Sequence, residues 1–219
     1  MKLSRFSYLS PICAVVAAFL FLVMQAGRIS AQWKDPPADL AEHLWRQGYV
    51  LHVLGAYPQA ILLFRRSITV RPTAEGHTFL GWSLSHVGRI DEAITECKRA
   101  ITIDPNFGNP YNDIGVYLVW LGRADEAIPW LRKAISAKRY CCYQFPHFTL
   151  GQILLNKGKI LEARRLFERA LKYDPDYLPA KEALEEISKS WLQLGRSSVR
   201  TPLSLNCITK MIRYAKEAP

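Results

Sequence analysis

The sequence lacks the short motifs that carry most enzyme chemistry. It has no glycine-rich phosphate loop, no cysteine pairs at zinc-site spacing, no G-x-S-x-G elbow and no C-x-x-C-H haem-attachment motif. Its acidic residues fall mostly at the starts of predicted helices, as in Asp91-Glu92 and Asp125-Glu126, where capping and the helix dipole explain them. The sequence therefore predicts a protein that is not an enzyme and that has no cofactor, catalytic residues or metal site.

Acidic residues are also scarce at both ends of the chain, whose formal net charge is +10. The first 31 residues contain no Asp or Glu, and residues 196–219 hold five Lys and Arg against one Glu. The net charge of the central part, 32–195, is therefore only +3, which gives no case for a nucleic-acid partner. We interpret residues 196–219 as a flexible, solvated basic tail; contact between this tail and anionic lipid or an acidic protein is the alternative.

One long apolar run is present, close to the N-terminus. Lys2 and Arg5 precede an unbroken apolar stretch over 12–24, and small residues follow as far as Ala31. This pattern is typical of a secretory signal peptide, although an uncleaved N-terminal membrane anchor has nearly the same features. We expect residues 1–31 to be one or the other, followed by a linker over 32–40. Either interpretation predicts an exported, periplasmic or extracytoplasmic body, free or tethered to the membrane.

Three sets of small residues recur along the chain with the same spacings of 33, 34 and 36 residues. The first set is Gly48, Gly81, Gly115 and Gly151; the second is Gly55, Gly88, Gly122 and Gly158; the third is Ala60, Ala93, Ala127 and Ala163. We expect the first glycines and the alanines to lie where two helices of one repeat cross closely. The second glycines are expected to end the first helix in a left-handed conformation.

These landmarks resemble the tetratricopeptide repeat (TPR), a 34-residue helix-turn-helix unit with the pattern W-x2-L-G-x2-Y, then A-x3-F, then P. Leu80-Gly81, Ala163 with Phe167, and Pro105 fill the three parts of this pattern. The resemblance implies an all-α fold, a right-handed α-solenoid of four repeats with a C-terminal capping helix, and the chain looks like exported or envelope TPR proteins of bacteria. The implied boundaries are 41–73, 74–107, 108–143 and 144–177 for the repeats and 178–195 for the capping helix, in which Leu184, Ile187, Trp191 and Leu194 would cover the last repeat.

Repeat three departs from the pattern at its end. Arg139 stands where the other repeats have proline, and the next repeat starts two residues late, so we expect an irregular corner over 136–143. Cys97 takes the position of an aromatic core residue, and we expect it to be buried. Export makes disulfides possible for the remaining cysteines. One of Cys141 and Cys142 would pair with Cys207, or the two would stay unpaired or pair with each other.

The resemblance also places a ligand groove on the first helices of the repeats. The positions that match the groove of the family are Trp45, Tyr49, His52, Thr78, Trp82, His86, Asn109, Asn112, Val116, Trp120, Phe145, Phe148, Gln152 and Asn156. They include no Lys or Arg, which argues against the carboxylate clamp of one TPR class. We expect Trp45, Trp82 and Trp120 to form a ladder along the groove. His52 and His86 are a candidate metal pair without a third ligand, and we interpret them as polar groove side chains.

The resemblance thus implies a non-enzymatic scaffold or adaptor that binds a protein or peptide in its concave groove. The alternative is an accessory or regulatory subunit of an envelope enzyme or of a secretion or assembly complex. Membrane contact is expected only through the N-terminal segment, and no nucleic-acid partner is expected. The sequence leaves the oligomeric state open.

Overall fold

The structure, a computed structural model, describes residues 38–194, which form nine α-helices. The helices are α1 (Ala38–Val53), α2 (Tyr57–Val70), α3 (Ala74–His86), α4 (Ile90–Ile103), α5 (Asn109–Trp120), α6 (Ala124–Ser136), α7 (Gln144–Asn156), α8 (Ile160–Tyr173) and α9 (Leu178–Leu194). The chain divides into two compact units, 1–40 and 41–219. All contacts reported below lie within the second unit.

Some of the predicted features fall on parts of the chain that the structure does not describe. The signal or anchor segment, the basic tail and Cys207 lie outside residues 38–194, as do the side chains of Trp191 and Leu194. Among the helices of residues 38–194, none is both long enough and apolar enough to cross a membrane.

The first eight helices form four consecutive pairs, each closed by a tight turn. The second helix of a pair also packs against the first helix of the next pair, and α9 packs on α8. Each turn contains one of the predicted glycines, Gly55, Gly88, Gly122 and Gly158, with φ between +74° and +80°. In the second pair, the amide of Gly88 donates to the Ser85 carbonyl and the amide of Arg89 donates to the Leu84 carbonyl. These bonds form a Schellman motif, and they confirm the left-handed helix ends expected from the sequence.

Small residues let the two helices of each pair approach closely, as predicted. A methyl group placed on Gly115 would lie 2.6 Å from the side chain of Leu131, and one placed on Gly151 would lie 2.6 Å from Phe167. The alanines at the crossings, Ala60, Ala93, Ala127 and Ala163, are fully buried. Cys97 is also fully buried, as expected, and it is a free thiol. In this all-α solenoid, one large buried cluster includes members of α2 to α7, and a second joins α7, α8 and α9.

The corner between α6 and α7 is held by Arg139, which stands in the place of a proline. Its guanidinium binds Asp104 at 2.7 Å and Glu75 at 2.7 Å. The same group lies 4.0 Å from the centre of the Phe107 ring. In this corner Cys141 and Cys142 form a disulfide with each other, one of the alternatives left open by the sequence.

The last helix covers the apolar end of the fourth pair. Ala180, Ala183 and Ile187 of α9 are buried in one cluster with Phe167 and Ala170 of α8. Capping of this kind is needed because the end of a repeat array otherwise exposes an apolar face. The helix begins at Leu178, two residues after the acidic Asp176 and close to where the sequence places it.

Candidate peptide-binding groove

The first helices of the pairs share one face of the array. Helix α5 contacts both α3 and α7 directly, whereas each second helix packs between its own first helix and the next one. The first helices therefore form an inner layer. We use the term groove face for the side of α1, α3, α5 and α7 that carries the fourteen groove positions named above.

Four rings from the first two repeats make a continuous aromatic face, defined here as Trp45, Tyr49, Phe79 and Trp82. The Trp45 and Tyr49 rings stack with centroids 5.9 Å apart, and the Phe79 ring meets both edge-on at 5.2 and 5.4 Å. Phe79 also contacts Trp82 at 5.7 Å. Offset and edge-on arrangements of this kind are the favourable ones for aromatic pairs. The rings hold each other in place before any ligand arrives.

Phe79 is the member of this face that sequence reasoning missed. It occupies the repeat position filled by Asp113 in the next repeat, and the groove set taken from the family does not include that position. The available signal was its spacing: Phe79 lies three residues before Trp82, so the two share one side of a helix.

The fourteen predicted groove residues differ widely in exposure. Tyr49 and Asn156 are exposed, and Tyr49 retains 40% of its accessible surface. Seven more are half-buried: Trp45, Trp82, His86, Asn109, Val116, Trp120 and Phe145. Five are buried: His52, Thr78, Asn112, Phe148 and Gln152. These five side chains are covered by neighbouring parts of the array, and whether they contribute to ligand binding stays a prediction.

The covering contacts have clear physical causes. His52 stacks on Trp82 with ring centroids 4.8 Å apart, and its Nδ1 lies 2.9 Å from Ser83 Oγ. The hydroxyl of Thr78 turns back to donate to the Ala74 carbonyl at 2.7 Å. Phe148 packs against Phe167 and Tyr177. Gln152 and Asn112 are each 8–9% exposed. The groove face is thus a set of exposed and half-buried rings resting on a buried layer.

The predicted tryptophan ladder is continuous over two of its three members. Phe79 bridges Trp45 and Trp82, whereas the ring contact that the described residues give Trp120 is with Tyr117 at 5.4 Å. The reason is that Asp113, aligned with Phe79, supplies no ring to connect the second and third repeats. Whether any of these residues binds a ligand stays a prediction.

The two groove histidines lie side by side. Their ring centroids are 5.1 Å apart, and Nδ1 of His86 donates to the Trp82 carbonyl at 2.9 Å. Burial, with a smaller contribution from the charge of His86, lowers the pKa of His52 to about 4. His52 is therefore neutral at neutral pH. Residues 38–194 contain no group of three or more His, Cys, Asp or Glu placed to hold a metal ion, so the structure supplies no third ligand for this pair.

The third repeat contributes a polar patch to the groove face. Asn112 donates to the carboxylate of the half-buried Asp113 at 3.4 Å, while the side-chain oxygen of Asn112 is buried without a hydrogen-bond donor from the described residues. Burial raises the pKa of Asp113 to about 7, although the bond from Asn112 acts in the opposite direction. This carboxyl group therefore titrates in the physiological range.

A buried ionic cluster lies on the other side of α3, away from the aromatic face. His77 Nδ1 is 2.7 Å from the carboxylate of Glu96, whose other oxygen accepts from Arg99 at 2.6 Å. It joins α3 to α4 in the middle of the second repeat.

Comparison with known proteins agrees with this architecture. The tetratricopeptide-repeat family matches residues 74–107, 111–139 and 145–177. The human DnaJ homolog subfamily C member 3 is 31% identical over 122 residues, which are 55% of this chain and 24% of that protein. The chain therefore spans about a quarter of the length of this curated relative.

Two solved structures show the same fold. PilW, described as a widely conserved type IV pilus biogenesis factor, has a TM-score of 0.64 at 18% identity, over 82% of this chain and 79% of that one. YrrB, described as a TPR protein with an unusual peptide-binding site, has a TM-score of 0.54 at 19% identity, over 68% and 76%. TPR domains mediate protein–protein interactions and are generally non-catalytic. Together with the repeat geometry, the family matches show that the chain contains tetratricopeptide repeats over residues 74–107, 111–139 and 145–177.

Proposed function

We propose that this protein is a non-enzymatic adaptor that binds a protein or peptide segment on its groove face. The observation that carries the proposal is the aromatic face, in which four rings from two successive repeats touch each other and remain partly accessible. Aromatic side chains offer a large contact area with few rotamers to restrict, and Tyr and Trp are the residues most often found as binding hot spots.

The chemistry of the face indicates the kind of segment it would accept. The fourteen groove positions include no Lys or Arg, so a segment rich in carboxylates has no cationic partner there. Rings favour apolar or aromatic side chains, spaced along an extended or helical peptide. YrrB, which shares only the fold with this chain, is described as a TPR protein with a peptide-binding site, and this description is compatible with the proposal.

The experiment begins with crosslinking in native cells and identification of the captured protein. The affinity of the full chain for that partner is then compared between Tyr49→Ala and Tyr173→Ala. Both tyrosines are well exposed, at 40% and 55%, but Tyr173 ends a second helix, so this variant is a matched control. We expect Tyr49→Ala to weaken binding by about 2 kcal/mol, as for a hot spot. Equal affinities for both variants would contradict the proposal.

The proposed location is outside the cytoplasm, either free or tethered. Its support is the sequence alone: the basic start, the apolar run over 12–24 and the small residues after it. Cell fractionation and protease added to the exposed envelope face test it. Recovery of intact protein in the cytosolic fraction would refute the location, and an N-terminal sequence starting at Met1 on exported protein would favour the anchor.

A second candidate function is an accessory subunit of an envelope assembly complex. PilW, described as a type IV pilus biogenesis factor, is the similar fold that motivates it. The two candidate functions differ in how stably the partner is bound. An adaptor exchanges its ligand, whereas a subunit copurifies with fixed partners in a complex that survives size-exclusion chromatography.

A further inference from the structure

The corner between α6 and α7 contains the disulfide of Cys141 with its neighbour Cys142. A disulfide between adjacent residues closes a small ring that includes the peptide bond between them, so it restricts the backbone of those two residues. Cys141 is exposed and Cys142 is half-buried, which leaves the bond within reach of a thiol in solution. Exposed disulfides are the ones that are most often labile or regulatory.

The backbone on both sides of this disulfide is held by other contacts. Before it, the amide of Arg139 donates to the Asn106 carbonyl at 3.0 Å, and the carbonyl of Arg139 accepts from the amide of Gly108 at 2.9 Å. After it, the hydroxyl of Tyr143 donates to the Ala137 carbonyl at 2.6 Å. The disulfide therefore lies in a short stretch between two anchored points of the corner.

The two cysteines have few other backbone restraints. Within residues 38–194, neither cysteine amide donates a backbone hydrogen bond, whereas the carbonyl of Cys142 accepts from the amide of Phe145 at 3.1 Å. This bond belongs to the first turn of α7, and Phe145 is one of the groove positions. Because the ring restricts the backbone that carries this carbonyl, opening the disulfide should loosen the first turn of α7.

The surroundings of the two sulfur atoms favour thiolates. Residues 130–150 contain four Lys and Arg and no Asp or Glu, although one of these cations, Arg139, is paired with Glu75 and Asp104. Helix α7 begins without an acidic residue in its first turn and without a side chain that caps its amides. A helix N-terminus and nearby cations stabilise a cysteine thiolate, and a stabilised thiolate leaves a disulfide faster.

We propose that the disulfide of Cys141 and Cys142 is a reversible redox site, reduced by a dithiol, and that its reduction loosens the start of α7. A thiolate of the dithiol attacks Sγ of the exposed Cys141, and Sγ of Cys142 leaves as a thiolate beside the helix N-terminus and takes up a proton. The second thiol of the dithiol then loses its proton and attacks the reductant sulfur that is bound to Cys141, which leaves as a thiolate and is protonated. The protein gains two electrons and two protons, and the dithiol becomes a disulfide. This inference goes beyond the proposed function, because it requires no ligand on the groove face.

The first measurement asks whether the disulfide opens in the folded protein. The full chain is treated with dithiothreitol at neutral pH without denaturant, and its free thiols are alkylated and located by peptide mass spectrometry. We expect Cys141 and Cys142 to be alkylated after this treatment, and to re-form their disulfide when oxidised glutathione replaces the reductant. The buried thiol of Cys97 is the internal control, and it should stay unmodified as long as the protein is folded.

The second measurement compares amide-proton exchange in the oxidised and reduced forms. In the first turn of α7, the amide of His147 donates to a backbone carbonyl at 3.4 Å, and at the matching position of α3 the amide of His77 donates at 3.1 Å. Reduction should speed exchange at His147 by at least about tenfold and leave His77 unchanged. The double variant Cys141→Ser with Cys142→Ser should exchange like the reduced protein without any reductant. The comparison of the two wild-type forms does not depend on whether this variant folds.

Three results would overturn the proposal. A disulfide that resists reduction until the protein unfolds would be a structural crosslink, and a bond from either cysteine to Cys207 in the oxidised protein would remove the site. Unchanged exchange at His147 after reduction would show that the disulfide does not act on α7. The proposed function is tested separately, because the comparison of Tyr49→Ala with its control is made on the oxidised protein throughout.

Discussion

The first two repeats and the third differ on the groove face, although their cores are alike. At matching positions, Phe79 corresponds to Asp113, and Trp82 corresponds to Val116. The first region is a connected set of rings, whereas the second presents an amide, a carboxyl group and an aliphatic side chain. In both, the residues at the helix crossing stay small and fully buried. The array keeps its architecture with one set of positions and varies its surface chemistry with another.

The net charge also differs between two parts of the array. Residues 41–123 hold eight Lys and Arg against seven Asp and Glu, whereas residues 124–173 hold ten against four. The neutral region is the one with the aromatic face, and the basic region is the one with fewer groove rings. The nearly neutral range contains the first two repeats and α5, whereas the basic range contains α6, α7 and α8.

The largest expected effect tests whether the buried cores of different repeats are equivalent. Phe64 in the first repeat and Phe167 in the fourth occupy matching positions and are fully buried. Replacing either with alanine should lower the free energy of unfolding by about 3–5 kcal/mol, since each leaves a large cavity. Chemical denaturation followed by circular dichroism measures this. A large effect in one repeat with almost none in the other would show that the cores are not equivalent.

The next prediction concerns the pH dependence of stability, to which His52 in the first repeat and Asp113 in the third contribute with opposite signs. The folded pKa of His52 lies near 4, below its usual 6.5, so its contribution to stability is complete above about pH 6.5 and is lost as pH falls through 4. The folded pKa of Asp113 lies near 7, above its usual 3.8, so the protonated acid stabilises the fold below about pH 4 and this contribution is lost as pH rises through 7.

Replacing each residue alone separates the two contributions to the pH dependence of stability. Because the two pH windows overlap and the two effects oppose each other, the stability of the wild type should change little between pH 4 and 7. In His52→Gln the stability should fall as pH rises, and in Asp113→Asn it should fall as pH drops, each on the order of 2 kcal/mol over the window. Denaturation midpoints between pH 4 and pH 8 provide the measurement. If both variants follow the wild-type profile, neither group is responsible for the pH dependence.

A smaller effect compares the tryptophans as binding residues. Trp82→Ala should weaken partner binding by about 2 kcal/mol, because Trp82 belongs to the connected aromatic face. Trp120→Ala should cost less than about 1 kcal/mol, since its described ring contact is with Tyr117 alone. Isothermal titration of the captured partner decides between them. A dominant effect at Trp120 would move the binding site to the third repeat.

The smallest expected effect is that of salt on partner affinity. Burial of apolar rings is not screened by ions, and the groove positions carry no Lys or Arg, so affinity should change by less than about threefold between 0.05 and 0.5 M NaCl. Binding through the basic region 196–219 would instead weaken steeply with salt and disappear when that region is removed. The second result would assign the partner to the tail.

The features that could be predicted from the sequence are those that depend on contacts within one repeat. Gly88 ends a helix because the left-handed backbone conformation at that position favours glycine. Gly115 faces Leu131 because the two helices of one pair cross there. Such constraints recur with the period of the repeat and are visible as spacing. The arrangement of the repeats followed from them.

The exposure of the groove residues depends instead on the neighbouring repeat. His52 is buried because Trp82 and Ser83 of the next repeat cover it, and Phe79 belongs to the aromatic face because Trp45 and Tyr49 of the preceding one meet it. No spacing within one repeat encodes these contacts. The partner of Cys141 is likewise set by the local path of an irregular corner, which has no counterpart in the other repeats.

Arg139 has a consequence for how the array unfolds. Repeat arrays ordinarily behave as one-dimensional chains in which each unit is coupled to its nearest neighbours. Arg139, at the end of the third repeat, binds Glu75 at the start of the second, 64 residues earlier, and Asp104 at its end. This tie spans the full length of one unit and links its two ends to the following corner. The second and third repeats should therefore be coupled more strongly in amide-proton exchange than nearest-neighbour packing alone would couple them.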